Sequence, residues 1–176
     1  FTTTPPSGVA VDPQCAAAVH DAARLCAELG HTVVEAAPAF DFEPFQQATV
    51  AIIDANTRAM ISERAQALGR EVSAEEVEYV TWRSAESGKN KSAVEYIQAV
   101  QTIHRTSRQV APFFESHDIL LSPVLLQPPV PLGFLDTQSK DVRTYVQHLF
   151  SFFGFTGLFN ATGQPSMSVP LYWTPD

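Results

Sequence analysis

Acid–base or nucleophilic chemistry on a small molecule needs a nucleophile and a base within hydrogen-bond reach, and the residues able to supply them are sparse here. The lysines are Lys89, Lys91 and Lys140, and the five histidines, at 20, 31, 104, 117 and 148, are scattered. There is no Gly-x-Ser-x-Gly elbow, no P-loop, no Gly-x-Gly-x-x-Gly after a strand and no Cys/His metal spacing. Surface and helix-end roles account for the histidines, and neither a metal nor a cofactor is expected. Cys15 and Cys26 fall on one expected helix, about 16 Å apart at 1.5 Å per residue, too far to pair. Neither has a basic neighbour in sequence, so both read as inert thiols in a reducing, cytoplasmic setting.

Three other features bear on binding. Asp54 and Asn56 interrupt the apolar run Val50-Ala51-Ile52-Ile53, as a solvated face or as polar contacts at the mouth of a pocket. Pro123, Pro128, Pro129 and Pro131 make a stiff loop with few amides to donate, the usual setting of a pocket wall. Five phenylalanines between 150 and 159, Phe159 the last, form either ordinary core or an aromatic wall facing a ligand or a missing half of the protein. Asn160-Ala161-Thr162 fits the glycosylation sequon, a short pattern that arises by chance.

Elements that position these residues follow from periodicity and punctuation. Residues 1–38 read as a βαβ unit: a Thr-rich strand, a helix capped by Asp12 with Pro13 at its first position, a stop at Gly30, and a strand at Thr32-Val33-Val34. That order implies parallel pairing and an α/β class. The stretch 43–116 reads as helical: one helix from Pro44 to Leu68 before Gly69, then starts at the capping boxes Ser73/Glu76 and Ser92/Glu95, with Pro112 kinking the last turns. From 117 to 176 the expectation is a buried strand at 118–123, the proline-rich loop, an aromatic helix over Val142–Phe153 and a final strand. Gly163 stands where a positive φ is expected, Asn160 is suited to satisfying backbone groups across the same turn, and Pro165 and Pro170 bracket the strand.

With 176 residues and 45% hydrophobic composition, the chain is one domain or a large piece of one, able to build a core. A formal charge of −8 without a basic stripe disfavours nucleic acid and anionic membrane as partners. No apolar run approaches the length needed to cross a bilayer, and no basic-then-apolar leader opens the chain. Phe-Thr-Thr-Thr at the start and an unfinished strand at the end lead to the expectation of a portion of something longer.

The set Asp118-Ile-Leu-Leu-Ser-Pro123, the proline-rich loop, the aromatic helix and Phe159-Asn160-Ala-Thr-Gly163-Gln-Pro165-Ser-Met-Ser-Val-Pro170 resembles the C-terminal portion of the amidase signature enzymes. The opening unit fits the same region, so the resemblance spans essentially the whole chain. Leu132-Gly133-Phe134-Leu135-Asp136-Thr137 and the Thr81-Trp82-Arg83 to Gly88 segment look most like the branch related to 6-aminohexanoate cyclic dimer hydrolase. The resemblance implies a mixed sheet covered by helices on both faces and a Ser–cis-Ser–Lys triad that cleaves carboxamides through an acyl-enzyme. That triad belongs to a Gly/Ser-rich segment in the family's N-terminal half, which has no counterpart here, so no catalytic residue is assigned in this chain.

The substrate-pocket candidates are Asp54, Asn56, Pro123 and Phe159, and the structural-turn candidates are Asn160, Gly163 and Pro165. The expected partners are a small-molecule amide and the remaining N-terminal portion of the same enzyme, and a homo-oligomer is compatible with the sequence. An amidotransferase subunit of the same family and a non-enzymatic α/β binding module stand as alternatives.

Overall fold

Helix α1 (Pro13–Glu28) starts where Asp12 accepts the Gln14 amide at 2.8 Å, with Pro13 placed where its missing N–H costs nothing. It ends in a left-handed Gly30, with the Gly30 amide donating to the Ala27 carbonyl and the His31 amide to that of Cys26. Helix α2 (Phe42–Leu68) closes the same way at Gly69, and a 3₁₀ turn (Ala74–Glu76) and α3 (Tyr79–Gly88) follow. The chain continues through α4 (Ala93–Val110), α5 (Phe113–Ser116), α6 (Val142–Phe152) and α7 (Thr156–Thr162). These elements come from a computed structural model, which describes residues 1–173.

The capping boxes set two of these starts. The Ser92 amide donates to Glu95 at 2.7 Å while the Glu95 amide donates to the Ser92 hydroxyl at 3.1 Å, immediately ahead of α4. At the other box the Ser73 amide donates to Glu76 at 2.9 Å, but what it opens is the single 3₁₀ turn. Pro112 falls between α4 and α5, so the expected kink is a break.

The chain forms two compact units. One comprises residues 1–40, 107–132 and the stretch from His148 onward. Its core holds Val19, Ala22 and Ala23 of α1 with Val110, Leu126, Phe155 and Leu158. Leu126 is 1% exposed; its amide donates to Phe152, its carbonyl accepts from Asp12, and its side chain occupies the space a Cβ on Gly154 would need. The other unit comprises residues 41–106 and 133–147. There α2 and α3 form a hairpin, with Ile61, Val72 and Ala85 packed together and Ala65 and Val77 against them.

The α/β expectation does not hold: among the described residues there is no sheet, hence no βαβ unit and no mixed sheet covered by helices. What stands in its place is extended chain joined by single bonds. The Phe1 ammonium donates to Val34 at 2.7 Å, the Ala36 amide to Phe1 at 2.9 Å and the Thr2 amide to Leu121 at 2.9 Å. Prolines explain why none grows into a ladder. Pro5, Pro38 and Pro123 each cut an extended segment after a few residues, because proline brings no N–H to the next rung. Segment 118–123 is also not buried on both faces, since Ile119 is 79% exposed. Residues 164–173 likewise carry no strand, and the last three positions of the expected 117–176 segment lie outside the described residues.

The connection from α2 to α3 is held by an exposed, two-pronged ion pair, with Arg70 Nη1 and Nη2 donating to the two oxygens of Glu76 at 2.9 and 2.7 Å. That bond, followed by the Ser73 amide, lowers the Glu76 carboxyl to about 2 from its ordinary 4.5. A folded-state value below the unfolded one means that this contribution is fully present above about pH 4.5 and fades as the pH falls toward 2. Glu76→Gln is therefore expected to lower the melting temperature at pH 7 and to have little effect at pH 2. Melting curves at both values check this, and an equal displacement at both would contradict it.

Candidate functional site

Polar side chains along α2 mostly bond to their own helix. Thr49, Asn56, Thr57 and Ser62 each donate to the carbonyl four residues back, at 2.8 to 3.0 Å. Asp54 differs. It is 8% exposed, and its two carboxylate oxygens accept from Ser84 at 2.7 Å and Ser87 at 2.6 Å, hydroxyls one turn apart on α3. Gly88 continues the same contact: a Cβ there would lie 2.2 Å from the Asp54 carbonyl oxygen and 2.8 Å from Arg58 Cβ. The hairpin is thus closed by a carboxylate and by the absence of a side chain. Asn56, two positions on, is exposed, its amide donating to Ile52 at 2.8 Å.

The other candidates lie in the first unit. Phe159 is half-buried and lines a small cavity of about 20 Å³ together with Thr2, Thr4, Pro38, Leu120 and Phe155. The lining presents almost wholly apolar surface, so the space suits an alkyl group and not a charged one. Pro123 is buried, its carbonyl accepting a long 3.4 Å bond from the Ser122 hydroxyl. Within the phenylalanine cluster Phe155 is 5% exposed and Phe153 42%, with Phe152 and Phe153 edge to face at 5.2 Å.

The segment around Asn160 is helical. Asn160 is exposed on α7, and Gly163 follows the helix with φ 80° and ψ 15°, its amide donating to Phe159 at 2.9 Å. A residue with a Cβ would be strained in that conformation. Thr162, not Asn160, bonds locally, its hydroxyl donating to Leu158 at 2.8 Å. Pro165 is exposed in the extended chain beyond.

Nucleophile and base pairings are few among the described residues. Ser116 Oγ lies 3.0 Å from His117 Nδ1, but that nitrogen is also 3.1 Å from the Phe113 carbonyl, and the ring stacks on Phe113 at 4.2 Å. A nitrogen that donates to a carbonyl cannot also take a serine proton. Burial, then the charge of Asp12, pushes the Cys15 thiol up, which disfavours the thiolate. Lys89 is engaged by Glu86 at 2.5 Å and lies 5.7 Å from the centre of the Trp82 ring. Sequence reasoning singled out Asp54 but missed Ser84 and Ser87; their three-residue spacing ahead of Gly88, which puts small groups on one face of α3, was the available signal.

One unit thus holds a carboxylate that ties two helices together, and the other holds a small apolar cavity. The chain belongs to the amidase family, whose model, described as Amidase, matches residues 3–176. The chain is similar to the 6-aminohexanoate-cyclic-dimer hydrolase of Paenarthrobacter ureafaciens, 26% identical over 100% of this chain and 37% of that protein. It is also similar to the lipoamidase of Enterococcus faecalis, 28% identical over 98% of this chain and 26% of the relative. A solved structure of 6-aminohexanoate cyclic dimer hydrolase superposes with a TM-score of 0.77, covering 93% of this chain and 35% of that one at 23% identity. The chain therefore spans about a third of the length of the relatives it matches.

Asp54→Ala is expected to destabilise the hairpin by about 1–3 kcal/mol, because two part-buried hydroxyls lose their acceptor. Asn56→Ala removes only an exposed bond within the helix and should stay within about 0.5 kcal/mol. Denaturant unfolding of the two variants side by side checks the difference, and equal losses would contradict it.

Proposed function

We propose that this chain is the C-terminal portion of an amide hydrolase, which cleaves carboxamide C–N bonds through an acyl-enzyme on a Ser–cis-Ser–Lys triad located outside these 176 residues. The observation that carries the reading is the match of the whole chain to 37% of a hydrolase of the cyclic dimer of 6-aminohexanoate. In the reaction the nucleophilic serine oxygen adds to the amide carbonyl as its proton passes through the bridging serine to the lysine. The C–N bond then breaks, the amine leaves with that proton, and water releases the acid from the acyl-serine. Backbone amides stabilise the oxyanion. This chain would contribute scaffold and part of the substrate pocket.

Of the pocket candidates, Phe159 has the most direct claim, since it borders the apolar cavity, with Pro123 a further candidate for the pocket wall. Asp54 has both oxygens engaged by serines and Asn56 has its amide engaged by its own helix. Any role for these two in substrate preference has to be compatible with those bonds.

The test compares the purified 176-residue chain with the full-length protein, using a simple aryl amide and the cyclic dimer of 6-aminohexanoate. Serine-dependent release of amine is expected from the full-length protein on at least one substrate, with none from the chain alone. Turnover by the isolated chain, or its absence from a folded full-length protein on a broad set of amides, would overturn the reading.

A further inference from the structure

The cavity beside Phe159 lies wholly within the first unit and is built from four stretches of chain: residues 2–6, residues 37–38, Leu120, and α7 with the residue before it. Backbone bonds next to the lining tie three of these stretches together. The Thr2 amide donates to Leu121 at 2.9 Å, and the Ala36 amide donates to Phe1 at 2.9 Å. The fourth is fixed at both ends, because Gly163 closes α7 and Gly154 leaves room for the Leu126 side chain just ahead of it. Walls held in this way keep the space between them open.

Exposure is graded across the lining. Thr2, Phe155 and Leu158 are each 5% exposed and form the floor, whereas Thr4, Pro6 and Ala37 are exposed at the mouth. No charged side chain lines the space. The one hydroxyl on the floor, that of Thr2, accepts the Thr4 amide at 3.1 Å and donates to the Thr4 carbonyl at 3.4 Å. A water molecule inside lacks the two or more partners it needs, so an apolar group enters without displacing a well-bonded water. At about 20 Å³ the space holds a group about the size of a methyl.

We propose that this cavity receives the methyl end of an unbranched alkyl chain on the amide substrate, with Leu120 and Leu158 setting the limit on what fits. The inference rests on the hydrolase reading for its substrate, while the selection of a straight, uncharged chain end follows from the cavity itself. Each methylene buried strengthens binding about fourfold, so a chain that reaches the floor is favoured by that factor over one that stops short. A second methyl at the chain end exceeds the space, and a charged end is desolvated there without a partner.

Two measurements on the full-length protein separate the site from the reaction. In the first, the methyl signals of Leu120 and Leu158 are followed by NMR as 1-butanol or tert-butyl alcohol is added. Saturable shifts are expected with 1-butanol, and binding roughly fourfold weaker or worse with tert-butyl alcohol. In the second, kcat/KM is measured for straight-chain amides from acetamide to hexanamide and for their end-branched isomers. It should rise about fourfold per methylene until the chain reaches the floor, fall at the next length, and favour each straight chain over its branched isomer. Leu158→Ala, or Leu120→Ala where the first variant does not fold, enlarges the space and should remove the penalty on the branched isomer. No methyl response to 1-butanol, an equal response to the two alcohols, or the same chain preference in parent and variant would overturn the proposal even where amides are hydrolysed. A 1-butanol response in a folded protein that hydrolyses no amide would overturn the hydrolase reading, and with it the substrate named here, while supporting the alkyl site.

Discussion

Leu126 is the residue on which the first unit turns. Burying one leucine side chain contributes about 1.5–3 kcal/mol, but its backbone matters as much. The Asp12 amide reaches its carbonyl at 2.7 Å and its own amide reaches Phe152 at 3.0 Å, so the residue that caps α1 and the end of α6 are tied to one point. Gly154 leaves room for the leucine side chain, and the bridge between Leu125 and Phe153 and the 3.2 Å bond from Gln127 to the Ser151 carbonyl extend the contact on either side. The proline-rich loop beyond Leu126 is short of donors, so its course is set at this anchor and not along its own length.

The second unit reaches the same end by a different interaction. A buried carboxylate is costly unless its oxygens are satisfied, and two serine hydroxyls meet that requirement for Asp54. Since Ser84, Ser87 and Gly88 lie on adjoining turns, the bonds that satisfy Asp54 also bring α3 against α2, and Gly88 makes the approach close enough. Polar residues that look available for chemistry in the sequence are, in this unit, what holds the helices together.

The legibility of the sequence divides along the same physical line. Helix boundaries were readable because their signals are local: Asp12 with Pro13, Ser92 with Glu95, and Gly30 and Gly69 in left-handed stops all act within a turn of themselves. Strands were not, because a strand is defined by a neighbour. Thr32-Val33-Val34 and Asp118–Pro123 have the right composition, but each exchanges only single bonds before proline ends the segment. The Asn160 segment misled for a related reason: asparagine and glycine suggest an open turn, but the chain first completes α7 and uses Gly163 to stop it. Asp54 was conspicuous, whereas its partners some thirty positions away were not, since a hydrogen bond across a hairpin leaves no local trace.

The central claim, that this chain supports an amide hydrolase whose nucleophile lies elsewhere, is tested most directly by locating the covalent intermediate. The full-length protein, quenched in acid during turnover of a slow amide or treated with a serine-directed acylating or phosphonylating reagent, is digested and the modified peptide identified by mass spectrometry. The account predicts a stoichiometric adduct on a serine outside the sequence from Phe1 to Asp176. An adduct on a serine within it, such as Ser84, Ser87, Ser116 or Ser122, accompanied by loss of activity, would contradict the account.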